Sequence, residues 1–66
     1  MKVILNGAPH DLGDGASVAT CVAYLTTATT GVAAAVNGEV VRRSAWAQTL
    51  VRDGDLVEVI TAVQGG

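Results

Sequence analysis

Apolar and polar residues alternate in two segments, one near each end of the chain. This spacing of two predicts β-strands at residues 2–6 and at residues 56–63. In the second segment Glu58 marks the face turned to solvent, and Val57 and Val59 mark the face turned to the core. We expect the two strands to pair in parallel at the centre of a mixed sheet.

Two Asn-Gly pairs predict two β-hairpins, because asparagine and glycine both accept the positive φ that a two-residue hairpin turn requires. Asn6-Gly7 joins residues 2–6 to a strand at residues 8–12. Pro9 lacks an N–H group, so this second strand is expected at an edge of the sheet. Asn37-Gly38 joins strands at residues 32–36 and 40–42.

One helix is predicted between the hairpins. Ser17 has the side chain of an N-cap, and an apolar stripe with helical spacing follows it. The threonines among residues 26–30 disfavour continuation of the helix, and Gly31 is expected to terminate it. Residues 44–48 are expected to form a short helical turn anchored by Trp46. The stripe consists of Val18, Cys21, Val22 and Leu25.

The element order ββαββ-turn-β predicts a single α+β domain over residues 1–66, with one main helix packed across a mixed sheet. Ile4 and Ile60 are expected side by side on the opposite face, as an exposed apolar patch and a candidate partner-binding surface. The residues expected to face the helix are Val3, Leu5, Val57 and Val59.

Charge and hydropathy exclude several classes of protein. The formal net charge is −2 with only four Lys and Arg residues, whereas a nucleic-acid binder carries a clustered basic face. The apolar runs are too short for a membrane span or a secretory signal. A single cysteine cannot form an internal disulfide. We therefore expect a cytoplasmic protein that binds neither nucleic acid nor membrane.

The candidate catalytic side chains do not form a constellation. Cys21 lies on the apolar stripe of the helix and is expected to pack in the core as an inert thiol. His10 and Asp11 are neighbours on a strand and point to opposite faces, so His10 is expected to be a solvated surface residue. One His and one Cys provide no metal site. We therefore expect that the domain is not an enzyme.

The pair Gly65-Gly66 suggests a different kind of chemistry. Two glycines have no side chain that would obstruct entry into a narrow active site. The α-carboxylate of Gly66 is ionised at neutral pH and is a poor electrophile until a partner activates it, typically as a mixed anhydride with AMP made from ATP. Residues 63–66 are expected to form a flexible tail that reaches about 13 Å. The domain itself is expected to bind no cofactor.

These features together resemble one known family. The segments that carry the resemblance span the chain: Lys-Val-Ile-Leu-Asn-Gly at residues 2–7, Val-Asn-Gly-Glu-Val-Val at residues 36–41, Trp46, and Asp53-Gly54-Asp55 followed by a strand and the terminal Val63-Gln64-Gly65-Gly66. In this pattern the chain resembles the ThiS family, the sulfur carriers of bacterial thiamine biosynthesis. The family often has proline near Arg42, which is absent here.

The resemblance implies a ubiquitin-like β-grasp fold and a defined set of partners. An E1-like, ThiF-like adenylyltransferase would adenylate the Gly66 carboxylate with ATP, and sulfur relayed from a cysteine desulfurase would convert it to a thiocarboxylate. The thiocarboxylate would supply sulfur to thiazole synthase (ThiG). Two alternatives stay open: a β-grasp sulfur carrier for molybdopterin, tRNA thiolation or cysteine synthesis, or a passive β-grasp interaction module.

Overall fold

A computed structural model describes residues 1–62, and within this range five strands form one mixed sheet with one α-helix packed on it. The sheet order is β2-β1-β5-β3-β4. The elements are β1 (Lys2–Leu5), β2 (Ala8–Asp11), α1 (Val18–Leu25), β3 (Val32–Val36), β4 (Glu39–Val41), a short 3-10 helix (Arg43–Ala45) and β5 (Leu56–Thr61).

The strands most distant in sequence are neighbours at the centre of the sheet. β1 pairs in parallel with β5, and Ile4 lies opposite Leu56. β5 pairs on its other side with β3 in the antiparallel sense. β2, which carries Pro9, is an edge strand. The expected parallel pairing, the expected edge strand and the α+β fold class are therefore confirmed.

Both Asn-Gly pairs form the predicted hairpin turns. The φ angles are 48° at Asn6 and 51° at Asn37, and the following glycines lie at 84° and 85°. Because Asn6 already has the turn conformation, β1 ends at Leu5, one residue before the predicted end. β4 likewise begins one residue earlier than predicted, at Glu39.

The helix begins as predicted and ends at the first of the predicted threonines. The Ser17 hydroxyl accepts a hydrogen bond from the backbone N–H of Thr20 (3.2 Å), and the Ser17 N–H donates to Thr20 Oγ1 (3.3 Å). These reciprocal bonds form a capping box. The helix ends at Leu25 because Thr26 is extended, with φ −154° and ψ 152°.

Gly31 does not terminate the helix, contrary to the expectation. It lies directly before β3, where its carbonyl oxygen accepts a hydrogen bond from the Ala62 N–H (2.7 Å). A Cβ atom at Gly31 would lie 3.2 Å from Ala62 Cβ, and φ there is +69°. Glycine at this position therefore allows the backbone before β3 to pair closely with the end of β5.

The core lies between α1 and the inner face of the sheet. All four residues predicted to face the helix are buried, and the helix contributes Val18, Cys21 and Val22. Trp46 is 7% exposed, and its Nε1–H donates to the Val41 carbonyl (2.7 Å), which satisfies the one polar atom of the ring. Trp46 is therefore the anchor predicted, although the 3-10 helix before it begins at Arg43 rather than Ser44. The residues predicted to face the helix are Val3, Leu5, Val57 and Val59.

The acidic turn before β5 is explained by its hydrogen bonds. Asp53 Oδ1 accepts from the Lys2 N–H (2.7 Å), and Asp55 Oδ2 accepts from the Arg52 N–H (2.7 Å). The Asp53 carboxylate thus fixes the first residue of β1, and the Asp55 carboxylate closes the turn that precedes β5. Among residues 1–62, no helix is long and apolar enough to cross a membrane.

Candidate functional site

One face of the sheet is turned away from the helix, and we call it the outer face. In β5 the outward residues are Leu56, Glu58 and Ile60, because Val57 and Val59 point to the core. The register of the neighbouring strands adds the residues of β1 and β3 directly opposite these three, and the residue of β4 opposite Ala35. The outer face thus comprises Ile4, Ala33, Ala35, Val40, Leu56, Glu58 and Ile60.

Large aliphatic side chains on the outer face are solvent-exposed. The exposed fraction is 66% for Ile60, 53% for Leu56 and 80% for Val40. Ile4 is half-buried. Several such side chains on one face form an apolar patch of the kind that marks a protein interaction site, whereas single exposed aliphatic residues carry no such meaning.

Ile4 and Ile60 share the outer face, but the expectation that they lie side by side is wrong. The parallel register places Leu56 beside Ile4, and the antiparallel register places Ala33 beside Ile60. The two isoleucines are separated by about 13 Å along β5, four residues at about 3.3 Å each. The patch is therefore longer than predicted: Ile4 and Leu56 lie at one end, Ile60 at the other, and Glu58 between them on β5.

Two adjacent depressions shape the outer face. A groove of about 510 Å³ runs from Ile4 and the Asn6-Gly7 turn along β5. A smaller depression of about 140 Å³ lies over β3 and Val40. Glu58 and Ile60 border both depressions. Ile60 is thus the central apolar residue of the outer face, with a carboxylate next to it.

Cys21 lies in the core, on the other side of the sheet. Its side chain is fully buried, as predicted. Burial raises the pKa of the Cys21 thiol, its backbone hydrogen bond opposes this shift, and the charge of Asp55 adds to it. The thiolate that would act as a nucleophile is therefore disfavoured.

His10 is less exposed than predicted. It lies opposite Val3 on the inner face and is half-buried. Its ring contacts Tyr24 of α1 edge-to-face, with 5.3 Å between ring centroids and 71° between ring planes. An aromatic contact thus replaces the expected solvation. Within residues 1–62, no group of three His, Cys, Asp or Glu side chains could hold a metal ion.

The predicted tail lies outside the described residues. Val63, Gln64, Gly65 and Gly66 follow Ala62 in the sequence, and Ala62 is hydrogen-bonded to Gly31, directly before β3. The tail is therefore attached at the end of the central strand. The role of these four residues stays a prediction.

Sequence reasoning missed three contributors to the outer face and its groove. The alternation in β5 could have identified Leu56, because it has the same parity as Ile60. The placement of Val40 on the outer face depends on the register of β3 and β4 in the second hairpin. The Asn-Gly pattern predicts Asn6 as a turn residue, but no local pattern indicates that its side chain contacts β5 across the sheet.

Comparisons with known proteins agree on one family. The family model described as the ThiS family matches residues 3–66. The chain is 30% identical over 66 residues to a protein of Escherichia coli strain K12 named sulfur carrier protein ThiS, and the match covers all of both chains.

Two solved structures from Geobacter metallireducens have the same architecture. The crystal structure of thiamine biosynthesis protein ThiS has a TM-score of 0.78 and 33% identity, with all of both chains covered. An NMR solution structure of a thiamine biosynthesis protein has a TM-score of 0.80 and 35% identity, and the match covers 100% of this chain and 88% of that one. The mixed five-stranded sheet with one helix is therefore the expected ubiquitin-like β-grasp fold.

Proposed function

The chain belongs to the ThiS family, and from this membership we propose that it is a sulfur carrier of thiamine biosynthesis whose reacting group is the α-carboxylate of Gly66. The observation that carries the proposal is the family match, which continues through Gly65-Gly66 to residue 66. Members of this family are carriers on which other enzymes act, and the chain is accordingly not an enzyme.

The proposed chemistry begins with activation of the carboxylate. One Gly66 carboxylate oxygen attacks the α-phosphorus of ATP in a ThiF-like adenylyltransferase, and pyrophosphate leaves. The product is an acyl adenylate, a mixed anhydride whose leaving group is AMP. This step turns an ionised carboxylate, which resists nucleophiles, into an acylating group.

Sulfur then replaces oxygen at the same carbon. A persulfide sulfur, relayed from a cysteine desulfurase, displaces AMP and forms an acyl disulfide. A thiol reductant attacks the cysteine sulfur of this acyl disulfide, forms a new disulfide with that cysteine, and leaves the transferred sulfur on Gly66 as the thiocarboxylate. The thiocarboxylate is the sulfur donor for thiazole synthase.

The outer face supports recognition by these partners. Leu56 and Ile60 are exposed on the strand that leads directly to the tail. Apolar surface that is exposed in the free carrier and covered in a complex supplies docking free energy. We therefore propose that Ile4, Leu56 and Ile60 dock on the partner while Val63, Gln64, Gly65 and Gly66 enter its active site.

The test is the intact mass of the protein with an unmodified C-terminus. Incubation with a ThiF-like adenylyltransferase, ATP, a cysteine desulfurase, cysteine and a thiol should add the mass difference of sulfur for oxygen. A variant lacking Gly66 should stay folded and gain no mass. If the intact protein gains no mass while the Escherichia coli carrier does so in a parallel reaction with its own enzymes, the proposal is wrong.

Partner choice separates thiamine biosynthesis from other sulfur-carrier pathways. Thiazole synthase should bind the thiocarboxylate form and consume its sulfur. Binding to a molybdopterin synthase large subunit, and none to thiazole synthase, would assign the carrier to another pathway. A folded module without any conversion at Gly66 would be a passive interaction domain.

A further inference from the structure

The side chain of Asn6 holds β5 beyond the point where the backbone of β1 can reach it. The Asn6 N–H donates to the Val57 carbonyl (2.9 Å) and forms the last backbone rung between β1 and β5. The chain then turns away at Gly7. The Asn6 side chain adds one more rung: Oδ1 accepts from the Val59 N–H (2.7 Å), and Nδ2 donates to the Val59 carbonyl (3.1 Å).

This amide takes the place of a peptide group in the ladder. A neighbouring parallel strand would offer Val59 one carbonyl acceptor and one N–H donor, from two successive peptide groups, and the Asn6 amide offers both. Beyond Val59, the pairing of β5 within residues 1–62 is with β3 alone, through Val32 opposite Thr61 and the Ala62 to Gly31 hydrogen bond. Val59, which Asn6 holds, is therefore the last residue of β5 that has a partner on both sides of the strand.

We propose that Asn6 is a positioning residue for the reaction at Gly66, because it fixes the end of β5 from which the tail leaves the sheet. The inference rests on the proposed function. With Asn6 the last residue supported on both sides is Val59, seven residues before Gly66; without it that residue is Val57, nine residues before. At about 3.3 Å per residue, the extended length from the last residue supported on both sides to Gly66 is about 23 Å with the Asn6 side chain and about 30 Å without it.

Loss of this support lowers the chance that a docked carrier presents its carboxylate correctly. When one backbone residue is freed, the fraction of molecules in the ordered conformation falls by a factor of about 5 to 30. The side chains proposed to dock, Ile4, Leu56 and Ile60, are all kept, and Asn6 lines only one end of the groove, so docking should change little. The effect therefore falls on kcat of thiocarboxylate formation rather than on KM for the carrier.

Asn37 provides a matched control. It occupies the same position in the other Asn-Gly turn, with nearly the same φ. Its Oδ1 accepts from the Leu56 N–H (3.0 Å), and its Nδ2 donates to Asp55 Oδ1 (3.0 Å). It thus makes two side-chain hydrogen bonds as well, one to the first residue of β5 and one to the residue before it, at the end that is remote from the tail.

The experiment compares Asn6→Gly with Asn37→Gly, since glycine accepts the positive φ and only the side chain is lost. The heteronuclear ¹⁵N NOE of residues 60–62 reports the mobility of the strand end without any partner. We expect it to fall in Asn6→Gly and to stay at the wild-type value in Asn37→Gly. With the activating partner, kcat should fall about tenfold in Asn6→Gly, with KM within about twofold, and be unchanged in Asn37→Gly.

Unchanged NOE values at residues 60–62 in Asn6→Gly, or an equal loss of kcat in both variants, would overturn the inference. If the wild-type protein itself is not converted, the proposed function fails, and the NOE comparison still decides whether Asn6 holds the strand end. Should Asn6→Gly not fold, Asn6→Asp replaces it, because aspartate keeps the acceptor for the Val59 N–H and lacks the donor at neutral pH. The same direction of change is then expected.

Discussion

Replacement of Ile60 by aspartate should weaken docking of the carrier on its activating partner without unfolding the domain. Ile60 is 66% exposed and borders both depressions of the outer face. Its side chain contributes little to the core, so we expect the unfolding free energy to fall by no more than about 1 kcal/mol, the range of strand propensities.

The loss of affinity has two parts. Complete burial of an isoleucine side chain is worth about 1.5–3 kcal/mol. Because Ile60 is 66% exposed in the free protein, docking can gain about two-thirds of this free energy, which is about 1–2 kcal/mol. An aspartate at the same place must also lose water, which adds about 1–3 kcal/mol. Together these terms predict a Kd about 30- to 4,000-fold higher for Ile60→Asp, and about tenfold higher for Ile60→Ala.

The assay is isothermal titration calorimetry of each carrier variant against the ThiF-like adenylyltransferase. Leu50→Asp is the matched control: Leu50 is 60% exposed, but it bridges to Ser17 beside the start of α1 and lies outside the five-stranded sheet. Its Kd should stay within about twofold of the wild-type value. A wild-type Kd for folded Ile60→Asp, or an equal loss for Leu50→Asp, would refute docking through the outer face.

Three further predictions concern the core and the helix. Replacing Cys21 by Val should leave sulfur transfer intact. Because burial raises the pKa of the thiol above its usual value of 9.0, the unfolding free energy of the wild-type protein should decline as the pH rises past about 9. Denaturant titrations should show that this part of the decline is absent in Cys21→Val. Trp46→Phe removes the donor to the Val41 carbonyl and should cost about 1–3 kcal/mol in urea unfolding followed by circular dichroism. Ser17→Ala removes the N-cap and should cost about 1 kcal/mol by the same measurement.

Local patterns predicted much of the fold because their physical causes are local. The Asn-Gly turns require positive φ at two successive residues, and few other pairs accept it. The alternation around Glu58 follows from the two faces of one strand. The end of α1 was predicted in part: the helix ends at Thr26, as the threonines indicated, but Gly31, five residues later, has no role in ending it.

The site was less predictable because it depends on register. Leu56 lies beside Ile4 only in one alignment of β1 and β5, and no short-range signal fixes the alignment of two strands about fifty residues apart. The amide of Asn6 meets Val59 for the same reason. Contacts across the sheet were therefore missed, although the residues on each side had been assigned to the correct strands.

The placement of β5 between β1 and β3 has a consequence for synthesis of the protein on the ribosome. The sheet lacks its central strand until residues 56–61 have left the exit tunnel. β1 therefore has no parallel partner while about fifty residues are translated. Such long-range closure makes folding slow relative to helical proteins of this size. A nascent chain arrested before β5 cannot join its two hairpins, so it should be a substrate for proteases rather than a competitor of the finished carrier.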